Sequence, residues 1–377
     1  MFFSHIPLEK LHFLKSEISE IYTSHIINLF AVSLVMVFIP IFLLNLGYTL
    51  NQVILFILVR FATGLVFAPV AGWLSNKIGF KHVILTIRLP IEILFMILLL
   101  TLEATKLNIY FISVLGGLAM IMYWIPFNSL FAKYSNKEKR GSQVAKLFSL
   151  PMLVRIIGPG LGAFLYTIFG FEVVLLVSTV VLAVSTIPLF LTPDIKPHLK
   201  FKMKRLFTLD HRDFILYSFL DGIRGMTEAY LWPIFIFLTL TNVESVGATQ
   251  VLSGIGIIIF TAFIGKSCDK MSKHRILKFG ALLVSFIWFA RIYAHGYIDI
   301  FLLSFFGGVA TVVLLIPSHS IIFNQANKEV YREFIVMREM WLNISRVLFF
   351  AVLLLVPHKF IVAFAMAMVA SFLFAFV

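Results

Sequence analysis

The chain has 377 residues, of which 60% are hydrophobic and only 13% are charged, and its mean hydropathy is +1.00. Ordinary soluble domains carry roughly 25% charged residues, so this composition excludes a soluble protein. The formal net charge is +13 at pH 7. Because the basic residues lie in short loops between apolar stretches, we do not expect the chain to bind nucleic acid.

Apolar stretches of about 20 residues, long enough to cross roughly 30 Å of hydrocarbon as helices, recur along the whole sequence. They predict an all-α polytopic membrane protein. Its twelve transmembrane helices are expected at 25–46, 50–74, 82–102, 108–131, 143–168, 172–192, 213–240, 246–265, 277–294, 298–321, 335–356 and 359–377. Residues 1–24 mix acids and bases, which predicts a cytoplasmic segment rather than a secretory signal. The last span runs to the final residue, so the chain is expected to be either short by design or incomplete.

Loops rich in Lys and Arg alternate with loops that offer little beyond Lys106 and Lys359. The basic loops follow spans two, four, six, eight and ten. By the positive-inside rule these loops and both termini are expected to be cytoplasmic. The expected location is the bacterial cytoplasmic membrane.

One long connection, residues 193–212, divides the spans into two sets of six, at 25–192 and 213–377. An offset of 191 residues aligns GGLAMIMYWIPFNSLFAKYSNKE, at 116–138, with GGVATVVLLIPSHSIIFNQANKE, at 307–329, and places Arg155 on Arg346. The sequence therefore predicts two related six-helix bundles in the same orientation, as in parallel repeats about an axis normal to the membrane.

Three stretches carry a resemblance to a known family. The loop after span two reads GWLSNKIGFKH, at 72–82, and its counterpart after span eight reads GKSCDKMSKHR, at 265–275. Span five contains LVRIIGPGLGAFLYTIFGF, at 153–171. With two sets of six spans, these stretches resemble the major facilitator superfamily of secondary transporters. The resemblance implies that fold, two pseudo-symmetric six-helix bundles, and transport by alternating access.

The resemblance also implies that the two loops latch the cytoplasmic face by contacting the opposite half. Asp269 would reach the start of span five, and Asn76, which replaces the family's aspartate, would reach span eleven more weakly. Ordinary positive-inside turns are the alternative. The basic side chains are expected to face cytosol and lipid headgroups. The matching residues are Gly72, Asn76, Lys77, Gly79, Lys81, Gly265, Asp269, Lys270 and Arg275.

In span five, Gly158, Pro159 and Gly162 partly match a signature found in exporters of the family. Proline bends a helix and glycines permit close packing, so this segment is expected to serve as a pivot. The resemblance associates it with antiport and export. Plain helix packing is the alternative interpretation.

Ionisable residues near the bilayer centre cost at least about 2.5 to 3.5 kcal/mol, so each usually faces a cavity or a partner. In span seven, Asp221, Arg224 and Glu228 are three and four residues apart, which allows Arg224 to pair with either acid. Burial and a nearby arginine act oppositely on a carboxylate's affinity for a proton. We therefore predict Glu228 as the proton carrier and Asp221 as the second candidate, against a permanently charged structural triad.

Arg155 and Arg346 each lie about eleven or twelve residues into a predicted span, roughly 16 to 18 Å deep and close to the midplane. They can clamp an anionic group, balance Glu228 or Asp221, or tie helices together. The spans also contain the ionisable residues Arg60 and Arg291. Arg88 and Glu92 are expected to form a static ion pair. Further candidates for the substrate cavity are Arg224, Tyr123, Trp124, Asn128, Tyr230, Trp232 and His319.

The sequence thus predicts a secondary active transporter, with proton-coupled efflux of a small organic or amphipathic compound as the main hypothesis. Proton-coupled uptake of an organic anion is the alternative. A transport-inactive receptor or a membrane-embedded enzyme is the alternative from another class. The sequence has neither an enzyme's nucleophile motif nor a Walker A or metal-site pattern, so no enzymatic activity, cofactor or metal is expected. The expected partners are a small-molecule substrate, protons and the lipid bilayer, with the protein monomeric.

Overall fold

A computed structural model describes residues 17–134, 140–194, 212–270, 273–326 and 331–376. Within these ranges it leaves undescribed the side chains at 17–18, 132, 134, 140–153, 155, 212–213, 262, 265–270, 273, 319–326 and 331–332.

These ranges form twelve long helical segments and no β-strand, and each segment coincides with one predicted span. They are α1 (Glu17–Val35 and Ile39–Asn45), α2 (Leu50–Ile78), α3 (Phe80–His82, Val83–Arg88 and Leu89–Leu100), α4 (Ile109–Tyr134), α5 (Arg140–Phe169), α6 (Phe171–Val184), α7 (Arg212–Met226, Thr227–Leu231 and Trp232–Leu240), α8 (Val243–Lys270), α9 (Lys273–Arg291), α10 (Tyr297–Ala326), α11 (Tyr331–Leu355) and α12 (Lys359–Leu373). We call the face at which α1 begins the near face, and the face at which α1 ends the far face.

Eight stretches of the described chain are long and apolar enough to cross a membrane. They lie in α1, α2, α3, α4, α6, α8, α10 and α12. Of the remaining helices, α7 and α11 carry the buried charged residues described below. Many large apolar side chains, among them Val66, Phe169 and Phe286, are exposed on the protein surface, as expected where lipid is the solvent. The protein is therefore an integral, multi-pass membrane protein.

The start and end of α2 show how local sequence sets a helix boundary. The Thr49 hydroxyl accepts a hydrogen bond from the Gln52 backbone N–H, and the Gln52 side chain accepts one from the Thr49 N–H, which forms a capping box. The helix ends at Gly79, whose φ of +107° is in a region that L side chains rarely adopt. A side chain there would also collide with Asp194, so this turn requires glycine.

Two helices contain a π-helical segment, and in both cases a proline explains it. Val83–Arg88 precedes Pro90 in α3, and Thr227–Leu231 precedes Pro233 in α7. A proline lacks the backbone N–H, and its ring clashes with the carbonyl four residues earlier, so the regular ladder is interrupted there. The π segments contain Arg88 and Glu228, both of which form ion pairs.

The helix contacts repeat in the two sets of six. In the first set α1 packs on α5 and α6, α2 on α4, and α3 on α4 and α6. In the second set α7 packs on α11 and α12, α8 on α10, and α9 on α10 and α12. The two sets meet mainly where α2 packs on α11 and α5 packs on α8. This pattern is the pseudo-symmetric twelve-helix arrangement. The domain boundary at 193–212 stays a prediction, since residues 195–211 lie outside the described ranges.

Candidate functional site

Glu228 forms a bidentate ion pair with Arg291, the last residue of α9. Arg291 Nη1 donates to Glu228 Oε2 at 2.6 Å, and Nη2 donates to Oε1 at 3.2 Å. The Arg291 side chain is completely buried, whereas that of Glu228 is 29% exposed. The spacing in span seven allows Arg224 to pair with either acid, but the partner that Glu228 bonds in the structure comes from another helix.

Two indole rings enclose the Arg291 guanidinium. Its central carbon lies 4.3 Å from the ring centroid of Trp232 and 4.4 Å from that of Trp288. Trp232 is itself fixed by a 3.2 Å hydrogen bond from Nε1 to the Ser304 hydroxyl. The cation therefore has both a carboxylate and two aromatic faces, each of which stabilises its charge.

The second acid of α7 pairs within its own helix. Arg224 Nη2 donates to Asp221 Oδ1 at 2.7 Å, with side-chain exposures of 7% and 18%. The predicted pairing of Arg224 with an acid of span seven is thus observed for Asp221. The three charged residues of α7 therefore take part in two ion pairs, Asp221 with Arg224 and Glu228 with Arg291 of α9.

One face of α7 borders open space. Asp221, Gly225 and Ala229 are spaced at intervals of four and lie on one side of the helix. Asp221 is partly exposed and Ala229 is exposed. A Cβ added at Gly225 would meet no atom within 4 Å. α11 and α12 are the helices that pack most extensively on the first part of α7. We call Asp221, Gly225 and Ala229 the open strip of α7.

Arg346, on α11, lies at the junction of the two sets of helices. Its Nη1 donates to Asn343 Oδ1 at 3.3 Å, and its guanidinium carbon lies 5.0 Å from the ring centroid of Phe61 in α2. Phe61 also stacks on Phe350 at 6.0 Å. The predicted partner by pseudo-symmetry, Arg155, has a side chain outside the described part, so the arginine pair stays a prediction.

Two other predicted cavity residues also bridge the two sets. Tyr230, on α7, packs edge-on against Phe61, with ring centroids 6.0 Å apart. Asn128, on α4, donates to Glu339 Oε1 of α11 at 3.5 Å, and Glu339 also pairs with Arg338 at 2.9 Å. Polar and aromatic contacts therefore join α2, α4, α7 and α11 across the centre of the protein.

The remaining cavity candidates have different surroundings. Tyr123 is 4% exposed and lies inside the first bundle, 2.7 Å from His25 Nδ1. Trp124 packs edge-on against Tyr123 and His25. Trp232 is 1% exposed and serves the Arg291 cage. The side chain of His319 lies outside the described part. Tyr123 and Trp232 are packed against buried partners in this structure, and their place in the substrate cavity stays a prediction.

A buried polar cluster in the first bundle includes residues that the sequence analysis did not select. Arg88 donates to Asn28 Oδ1 at 2.7 Å, lies 3.4 Å from Glu92, and covers the Tyr123 ring at 4.9 Å. The expected ion pair of Arg88 with Glu92 is therefore present. His25 and Asn28 are 5% and 2% exposed. The one available signal was their position as polar residues in an apolar first span.

The sequence also matches the model of a known protein family. The model of the Major Facilitator Superfamily matches residues 21–220, which are more than half of the 377-residue chain. The chain belongs to the major facilitator superfamily. The resemblance given by the loops, the span-five segment and the twelve spans is thus confirmed, and the protein is a transporter of this superfamily.

Named relatives within the superfamily cover most of the chain. "Multi-drug resistance efflux pump PmrA" of Streptococcus pneumoniae is 25% identical over an alignment of 326 residues, which covers 76% of this chain and 75% of the relative. "Multi-drug resistance efflux pump PmrA homolog" of Lactococcus lactis subsp. lactis is 25% identical over an alignment of 348 residues, which covers 84% of this chain and 82% of the relative. "Uncharacterized protein YqgE" of Bacillus subtilis is 20% identical over 291 residues, or 74% and 68%.

The superfamily loop after α2 is anchored within its own bundle. Lys81 was expected to face the cytosol or lipid headgroups, but its side chain is 2% exposed. Its ammonium donates to Glu20 Oε2 at 2.8 Å and to the Thr192 hydroxyl at 2.7 Å, so this lysine ties α1 to the segment after α6. That expectation is wrong for Lys81, because a buried acid at the start of α1 compensates its charge.

The predicted latch contacts between the two halves of this transporter stay a prediction. Gly72 is buried, Asn76 is half-buried, and exposed Lys77 covers the Trp73 ring at 4.9 Å. In the second loop Arg275 is exposed. Gly265 lies within α8, whereas the side chains of Asp269 and Lys270 lie outside the described part, as do the side chains at the start of α11.

The predicted pivot of α5 lies between α1 and α8. Added Cβ atoms at Gly158 and Gly162 would collide with Ser33 and with the Leu34 carbonyl of α1. The Pro159 carbonyl faces α8, where a Cβ at Gly247 would lie 3.2 Å away. These residues therefore permit close packing on both sides, and their role as a pivot stays a proposal.

Proposed function

We propose that this transporter exports a small organic or amphipathic compound in exchange for protons. The observation that carries the proposal is the open strip of α7 together with two carboxylate–arginine pairs. Asp221, on the strip, pairs with Arg224, and Glu228, next to the strip residue Ala229 in the chain, pairs with Arg291. Carboxylates that border a water-filled space within the membrane can take up and release protons. Two relatives that cover about three-quarters or more of the chain are named multidrug efflux pumps, which supports export.

Glu228 is the proposed proton carrier because its partner tolerates a neutral Glu228. Protonating one member of a buried ion pair leaves the other charge uncompensated, at a cost of several kcal/mol. Here the two indoles stabilise the Arg291 cation whether or not Glu228 is charged. A desolvated cation–π contact contributes about 2 kcal/mol, which offsets part of that cost. Glu228, which is 29% exposed, can therefore alternate between the paired and the protonated state.

In the proposed cycle, the near face is cytoplasmic and the two bundles rock about the α2–α11 and α5–α8 contacts. Substrate enters the central space beside α7 and displaces the proton from Glu228. Reprotonation from the opposite side restores the original state. Asp221 is the second proposed carrier, since it lies on the open strip. Arg346, at the junction of the bundles, is proposed to orient a substrate against the aromatic rings of Phe61 and Tyr230.

The direct test uses inside-out membrane vesicles and a panel of fluorescent amphipathic compounds of either charge. With an acidic lumen, the intact protein is expected to accumulate a substrate, and adding that substrate is expected to release protons from the lumen. Glu228→Gln is expected to abolish gradient-driven accumulation. Glu103→Gln, which alters an exposed acid outside the site, is the matched control and should transport normally. Accumulation only in right-side-out vesicles would overturn export and favour proton-coupled uptake.

A further inference from the structure

One side of α11 carries a row of polar residues that reaches the middle of the protein. Glu339, Asn343 and Arg346 follow one another at intervals of four and three residues, so they lie on the same side of the helix. Glu339 is 4% exposed and Asn343 is completely buried, while Arg346 is partly exposed. We call these three residues the polar row of α11.

The polar row lies against the first bundle. The Asn128 amide of α4 donates to Glu339 Oε1 at 3.5 Å. A Cβ added at Gly64 of α2 would lie 3.5 Å from the amide nitrogen and oxygen of Asn343, so this glycine lets the two helices approach each other. The arginine of the row covers an aromatic ring of α2, as described above. The polar row therefore closes the interface between α11 and the first bundle from the near half of the protein to its middle.

The hydrogen bonds of the polar row are made largely within α11. Glu339 Oε1 accepts from Arg338 Nη1 at 2.9 Å, and the Asn343 amide donates to the Glu339 carbonyl at 2.8 Å. Arg346 Nη1 donates to Asn343 Oδ1 at 3.3 Å. Across the interface, the described residues contribute to the row the 3.5 Å bond from Asn128, a long hydrogen bond. α11 can therefore move away from α2 and α4 with its own polar bonds intact.

Water that enters this interface stabilises the polar row. Arg346 Nε is buried and has no hydrogen-bond partner within the described part of the chain. A buried donor without an acceptor costs free energy, and water removes that cost when the helices separate. Polar side chains with partial exposure already approach the row, namely Asn128 of α4 and Asp221 of α7, which interacts electrostatically with Arg346.

The contact between α5 and α8, in the far half of the protein, has the opposite character. Ala163 packs against Gly247, and Ile156 packs against Gly254. Separating these residues in water exposes apolar surface and gains no side-chain hydrogen bond. The polar row and the α5–α8 contact therefore differ in the cost of admitting water.

We propose that the polar row of α11 is the gate by which the near face opens, and that it lines a water-filled passage in the open state. The contact of Glu339 with Asn128 closes this passage. Asn343 and Arg346 continue it to the middle of the membrane. The gate serves transport in either direction and needs no proton coupling, so it does not depend on the proposed function.

The test measures how fast a charged, membrane-impermeant maleimide labels a cysteine behind the gate. Gly64→Cys places a thiol against Asn343, in a chain whose single natural cysteine is removed by Cys268→Ser. The reagent is applied to the face of the vesicles from which it labels Lys77→Cys, an exposed position at the near face. Gly64→Cys is expected to be labelled from that face, without substrate or gradient.

Asn343→Leu keeps the size of the side chain and removes its polar groups. Labelling of Gly64→Cys is expected to slow about tenfold in this variant, because the open state then exposes an apolar side chain to water. Asn343→Met, with a more adaptable side chain, should slow labelling as well, so that a folding defect of one variant does not decide the result. Ile344→Leu, at the half-buried apolar neighbour in the sequence, is the matched control and should leave the rate unchanged.

Absence of labelling of Gly64→Cys from the near face would overturn the proposal, as would an unchanged or faster rate in both Asn343 variants. The proposed function is tested separately by the vesicle transport measurements. Labelling as expected, together with transport that is not coupled to protons, would contradict the proposed function alone.

Discussion

Among single residues, Arg291 is the one whose surroundings determine the energetic cost of neutralising Glu228 of α7. Its guanidinium is fully buried, bonded twice to Glu228, and enclosed by Trp232 and Trp288. A carboxylate and two π faces compete for the same cation. Neutralising Glu228 is therefore less costly here than in a buried ion pair without aromatic neighbours.

This account predicts an energetic coupling between Glu228 and the indoles. Trp288→Leu should make Glu228→Gln more destabilising than it is in the intact protein, with a coupling free energy of about 1 kcal/mol. The measurement is a double-mutant cycle on unfolding in mixed detergent micelles. Phe289→Leu, at an adjacent and exposed aromatic residue, is the control and should show no coupling. Additive effects of Trp288→Leu and Glu228→Gln would contradict the role given to the cage.

Among the helices, α5 and α8 form one of the two main contacts between the bundles. The contact depends on small residues, because a Cβ at Gly247 would collide with Ala163, and one at Gly254 would collide with Ile156. Without a strong hydrophobic force between helices in lipid, such close approach supplies much of the association. In the proposed cycle, one bundle moves against the other across this contact.

Gly247→Leu should therefore slow transport by about an order of magnitude, since a large side chain separates α5 from α8. The initial rate of substrate accumulation in vesicles measures this effect. Gly296→Leu is the matched control, because no atom lies within 4 Å of a Cβ added there, and its rate should match that of the intact protein. Equal rates in the two variants would show that the α5–α8 contact does not limit the transport cycle.

The positions of the helices were predictable from the sequence, because hydropathy is a local property and every predicted span coincides with one helical segment. The partners of charged residues were less predictable. The i, i+3 spacing identified the pair of Asp221 and Arg224, whereas Glu228 pairs with an arginine 63 residues away. The burial of Lys81 was missed for the same reason, since Glu20 and Thr192 approach it only in the folded chain.

In the whole molecule, the two bundles contact each other at two depths. Asn128 reaches Glu339 toward the near face, and Phe61 packs against Tyr230 farther from it. Both contacts cross the boundary between the sets of helices, and the open strip of α7 lies beside that boundary. Alternating access requires each contact to open in turn. Under the proposed function, the proton exchanged at Glu228 changes the charge beside this boundary, by which the two states can differ in energy.

The central claim is that substrate and protons move in opposite directions through this protein. Its most direct test is purified protein in liposomes with a pH gradient imposed in either direction and a fluorescent amphipathic substrate on both sides. The account predicts that substrate accumulates on the acidic side, that reversing the gradient reverses the accumulation, and that Glu228→Gln abolishes both. Substrate movement that is independent of the sign of the gradient, or that is unchanged in Glu228→Gln, would contradict it.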